Sequence, residues 1–76
     1  MLSGPFRIGV MAFVIRADDA GRISWITPPN ERGFSSLADR AKAAVFTTEA
    51  DAQAMVDRLA DSFGRIGVRL FIDPVD

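Results

Sequence analysis

The hydrophobic positions of this chain follow two different periods. Over residues 6–17 they run almost unbroken, with Phe6, Ile8, Val10, Ala12 and Val14 on one side of an extended chain and Met11, Phe13 and Ile15 on the other. An apolar run covered on both sides predicts a central strand. Gly9 and the valine, isoleucine and phenylalanine content favour strand over helix. Asp18-Asp19-Ala20-Gly21 then reads as a turn, because aspartate tolerates and glycine prefers left-handed backbone. A second strand over 22–27 carries Ile23 and Trp25 on one side and Arg22, Ser24 and Ile26 on the other, completing an antiparallel hairpin. Pro28-Pro29 stops it, since proline has no amide to donate to a ladder.

After a polar loop at 30–33 the period lengthens. Ser36 with Asp39 three residues on resembles a weak helix start, and Leu37, Ala41, Ala44 and Val45 would share a face. A short helix over 36–44 is therefore expected, with Ala44-Val45-Phe46 as its last turn or as a short strand. Thr48 opens the strongest helical signal. Its hydroxyl can accept from the amide of Asp51, and Asp51 can reach back as a capping-box partner. Glu49 and Asp51 place negative charge at the positive end of the helix dipole. Ala52, Met55, Val56, Leu59 and Phe63 repeat at helical spacing, so a helix is expected over 49–63 with Gly64 as its terminating residue. A last strand over 66–72 alternates Ile66, Val68, Leu70 and Ile72 with Gly67, Arg69 and Phe71, and Asp73-Pro74 closes it.

The resulting order is β-β-(short α)-β-α-β. It predicts an α+β domain over 1–76, an antiparallel sheet of three to four strands packed on one main helix. Its 76 residues favour one domain, and a chain of that size buries only about 60% of its unfolded surface. The sequence has no cysteine and no histidine, so disulfides and zinc sites of the ordinary kind are excluded. An efficient core or self-association must supply stability instead, and an apolar fraction of 49% suits both. The eight-residue apolar run 8–15 is far shorter than the roughly 20 residues a membrane helix needs. A cytoplasmic protein is expected.

Little catalytic inventory is present. Nucleophilic catalysis needs an activated nucleophile and a base, and the chain offers no cysteine, histidine or tyrosine and one lysine, Lys42. Ser35 and Ser36 have no base within sequence reach. Asp18 and Asp19 are adjacent carboxylates, but turn aspartates ordinarily serve backbone geometry and lack the spaced ligands of a calcium loop. Gly64-Arg65-Ile66-Gly67 leaves a helix, whereas a phosphate loop leads into one. The expectation is a non-enzymatic protein with no cofactor and no metal.

Two surfaces remain as candidates. Glu49, Asp51, Asp57 and Asp61 lie on the solvent side of the main helix and would present an acidic strip to a basic partner. On the sheet face turned from the helix, Arg69 and Phe71 are expected beside Arg22 or Trp25, depending on register. Arginine beside aromatics suits base stacking and also suits protein interfaces. A net charge of −1 favours protein contact or a homodimer over nucleic acid.

The stretch Ala44-Val45-Phe46-Thr47-Thr48-Glu49-Ala50-Asp51-Ala52 resembles a strand-to-helix element of small bacterial and phage-encoded proteins. In size and build the chain is similar to phage and prophage accessory proteins, among them the anti-CRISPR proteins. That resemblance implies a non-enzymatic inhibitor that binds a CRISPR surveillance complex and blocks its access to target DNA. It assigns no role to any single residue. The alternatives are a small nucleic-acid-binding module using the sheet face and a homodimeric adaptor.

Overall fold

The computed structural model describes residues 12–75. Strand β1 spans Ala12–Asp19 and strand β2 spans Arg22–Ile26. Strand β3 is the two residues Leu37–Ala38, followed by a single 3-10 turn at Arg40–Lys42. Helix α1 spans Glu49–Gly64 and strand β4 spans Val68–Val75. The strands form one antiparallel sheet in the order β3-β2-β1-β4, with α1 packed on one face. The fold is therefore α+β, as the pattern predicts. Phe6, Ile8, Val10 and Met11 of the expected first strand lie outside the described residues.

The hairpin is tighter than expected. Asp18 and Asp19 belong to β1, paired with Ile23 and Arg22, and the loop contracts to Ala20-Gly21. Positive φ angles of 53° at Ala20 and 92° at Gly21 are those of a type I′ turn, whose twist matches that of the flanking strands. Gly21 suits this geometry, while Ala20 carries the left-handed strain of a Cβ. Asp18 offsets part of it, its carboxylate accepting the Gly21 amide at 2.8 Å.

The short helix over 36–44 does not form. The backbone of Ser36 is committed to β2: its carbonyl accepts from the Thr27 amide at 2.9 Å, and its amide donates to Thr27 Oγ1 at 2.9 Å. Those bonds draw Leu37 and Ala38 into the sheet beside Ile26 and Trp25. Asp39 is extended and makes no side-chain cap, so only the 3-10 turn follows. The chain then returns to the sheet where Pro28 has turned β2 away. Ala44 donates to the Ile26 carbonyl at 2.8 Å, and Phe46 forms an isolated bridge with Phe13.

Helix α1 begins as its cap predicts, with Thr48 Oγ1 accepting from the Asp51 amide at 3.1 Å. Among the described residues Asp51 makes no return bond, so the box is half formed. The C-terminal expectation is corrected as well. Gly64 is still helical, Arg65 caps in the right-handed region, and Gly67 at φ 82° reverses the chain. Successive bonds from Ile66 to the Phe63 carbonyl and from Gly67 to the Gly64 carbonyl carry the turn that far. Ile66 is consequently outside the strand and 67% exposed, while β4 runs on through Asp73 and Pro74.

The main core lies between α1 and the sheet, and Val14, on the other face of β1 opposite Asp73, is buried as well. Ile15, Ile26 and Ala52 are fully buried, with Phe13, Phe46, Met55, Val56, Leu59, Phe63, Leu70 and Ile72 packed around them. The helical stripe and the Val68, Leu70, Ile72 side of β4 thus meet as the sequence predicts. None of the helices among the described residues is long and apolar enough to cross a membrane.

Candidate functional site

Register decides what the open face of the sheet presents. Arg16 on β1 stands opposite Trp25 on β2 and opposite Phe71 on β4. The three side chains therefore form one row across the sheet, on the side away from α1. The Arg16 guanidinium sits over the Phe71 ring, 4.7 Å from its centroid, and donates from Nε to Asp73 Oδ2 at 2.9 Å. Trp25 receives a second cation from the 3-10 turn, with Arg40 5.2 Å from its ring centroid. Both distances are within the roughly 6 Å over which a ring face attracts a cation. The result is an Arg40–Trp25–Arg16–Phe71 alternation, flanked by Ile23, Asp18 and Arg69 in the next row.

This face is only partly covered. Phe71 is 39% exposed and Ile23 45% exposed, while Trp25 and Arg16 are half-buried. The Arg16–Asp73 pair has both side chains about a third exposed, so solvent screening keeps its stabilisation small, on the order of 1 kcal/mol or less. Its larger effect is positional: it holds a guanidinium flat against an aromatic ring. At the hairpin end a shallow depression of about 270 Å³ is lined by Asp18, Ala20, Gly21, Gly67 and Arg69.

Of the residues expected on this face, Trp25, Arg69 and Phe71 are there. Arg22 is not: it alternates with Ser24 and Ile26 and projects to the helix side at the sheet's end. The two-residue loop sets that parity. Arg16, Arg40 and Asp73 complete the site without having been expected. Extending the β1 alternation past Val14 finds Arg16, whereas Arg40 and Asp73 are brought in by pairing alone. The adjacent carboxylates Asp18 and Asp19 point to opposite faces, as successive strand residues must, so they do not converge on one proton.

The four acids of α1 are all exposed but do not form one strip. At about 100° per residue, Glu49, Asp57 and Asp61 occupy roughly a third of the circumference, and Asp51 lies on the other flank with Arg58. That flank faces the loop before β3, where Arg58 Nη2 donates to the Gly33 carbonyl at 3.3 Å. On the acidic flank Gln53 donates to Asp57 at 2.9 Å, and Arg65 pairs with Asp61 at 2.8 Å in full solvent. Among the described residues no group of three histidine, cysteine, aspartate or glutamate side chains is placed to hold a metal ion.

No family model, curated protein or solved structure matches this chain. Its class is defined by the fold alone, a four-stranded antiparallel sheet on one helix with an arginine–aromatic row on the open face.

Proposed function

We propose that the chain is a non-enzymatic protein-binding module, an inhibitor or adaptor that engages its partner through the open sheet face. The observation that carries this is the Arg40–Trp25–Arg16–Phe71 row. Tryptophan and arginine dominate the residues whose truncation costs protein complexes most, and here they are pre-ordered on a rigid sheet. Nucleic acid fits less well. Arg16, Arg40 and Arg69 share the face with Asp18 and Asp73, so little net positive charge is left for phosphates. The resemblance to anti-CRISPR proteins supplies a concrete partner class, a CRISPR surveillance complex whose DNA-binding surface the module would occlude.

A second reading rests on the exposed flank of Glu49, Asp57 and Asp61, which would meet a basic groove on the same kind of partner. Binding of a purified surveillance complex by immobilised protein separates the two. On the sheet-face reading, Trp25→Ala weakens binding by about 30-fold or more, equivalent to about 2 kcal/mol. Joint reversal of Asp57 and Asp61 to lysine then slows association in low salt and leaves dissociation unchanged. The opposite pattern moves the contact to the helix. Failure of the wild type to bind removes this partner class, and retention of single-stranded oligonucleotide in its place would contradict a protein-binding role.

A further inference from the structure

We propose that the chain forms a two-fold symmetric dimer by pairing β4 edge to edge with β4 of a second copy, with Phe71 on the axis. The two edges of the sheet are unequal. β3 offers two residues, whereas β4 offers eight, and among the described residues nothing pairs with its outer side.

The direction in which each backbone group of β4 points follows from β1. Phe13 uses both of its groups on the β2 side, donating to the Phe46 carbonyl and accepting from the Phe46 amide, each at 2.8 Å. Across the other side, Phe13 and Pro74 are therefore a pair without hydrogen bonds, and the backbone of Pro74 faces outward. The hairpin gives the same parity independently. Asp19 and Arg22 close a two-residue loop, so Asp19, Ala17, Ile15 and Phe13 bond toward β2. By alternation Arg69, Phe71 and Asp73 bond to β1, while Val68, Leu70 and Ile72 present free amides and carbonyls to the edge. Pro74 sits at the one parity where its missing amide costs no ladder bond.

Antiparallel pairing of this edge with itself is set by charge. Centred on Phe71, it places Leu70 opposite Ile72 of the second copy, where the two exchange both backbone bonds in each direction. Val68 then donates to the carbonyl of Pro74. On the open face Arg69 stands opposite Asp73 of the second copy, twice over, and the two Phe71 rings meet at the axis. Centring on Arg69 or on Asp73 would set like charges opposite each other. Centring on Leu70 or Ile72 forms no ion pair. The side chains are also free for this register: Arg69 makes no ion pair among the described residues, and Arg16 occupies only Oδ2 of Asp73. The dimer joins the two open faces into one, with the Trp25–Arg16–Phe71 row continuing across the axis. The inference stands apart from the partner-binding reading, since it concerns the sheet's edge rather than its face.

Complementary charge reversal tests it. Sedimentation equilibrium of the wild type is expected to show a dimer at micromolar concentration. Arg69→Asp and Asp73→Arg each set like charges across the axis and are expected to weaken dimerisation at least about tenfold. Mixed in equal amounts, the two variants regain both ion pairs, and a heterodimer of wild-type affinity is expected. Thermal melts followed by circular dichroism establish that each variant is folded, and recovery on mixing excludes misfolding as the cause. A monomeric wild type, undiminished self-association of either variant, or no heterodimer on mixing overturns the proposal.

Discussion

Replacing Ile15 with alanine is expected to destabilise the fold by about 4 kcal/mol. Large-to-small substitutions at fully buried isoleucine cost about 2–5 kcal/mol, the upper part of the range applying where the cavity cannot collapse. Ile15 has no exposed surface and sits on the helix side of a central strand, opposite Ile72 and within one cluster with Ile26 and Ala52. Strand β1 is held on both sides, by β2 and Phe46 and by β4, so its backbone cannot move in to fill the space. At roughly 0.05–0.15 kcal/mol per residue, a domain of this length holds about 4–11 kcal/mol in total. The variant should thus lose a large share of its stability, read as a fall in the urea midpoint followed by circular dichroism at 25 °C. A loss below about 1 kcal/mol would mean that Ile15 is not in the core.

Ala52→Leu is expected to destabilise by about 2 kcal/mol, although it adds apolar volume. Ala52 is the single buried residue of α1 among those described and has no exposed surface. It packs in one buried cluster with Ile15 and Ile26 of the sheet. Extra carbons there must push the helix outward or force side chains off their rotamers, which costs about 1–3 kcal/mol in a packed core. Ala60, on the exposed side of the same helix, provides the control: Ala60→Leu should change stability by no more than about 0.5 kcal/mol. A gain at position 52 would reveal a void between helix and sheet.

What was legible in the chain was local. Thr48 and the stripe from Ala52 to Phe63 define α1 through contacts a few residues apart, and alternation alone puts Leu70 and Ile72 under the helix with Phe71 outside. The features that were not legible depend on long separations or on a choice between equals. Arg16 meets Asp73 across 57 positions, and no spacing rule connects them. Arg22 and Trp25 were alternatives until a two-residue loop fixed the parity of β2. Gly64 and Gly67 were both able to end the helix, and the chain uses the second for its left-handed residue. The segment 36–44 has a capping pattern but becomes β3 and a 3-10 turn because Thr27 takes both backbone groups of Ser36.

Both candidate contacts, the arginine–aromatic face and the free edge, follow from the register of β1 with β4. Amide hydrogen exchange along β4 in the Arg69→Asp variant, kept dilute enough to be monomeric, reads that register residue by residue. The account predicts alternation: slow exchange at Arg69→Asp itself, Phe71 and Asp73, whose amides bond to β1, and fast exchange at Val68, Leu70 and Ile72. Uniform protection along the strand, or alternation of the opposite phase, would contradict it.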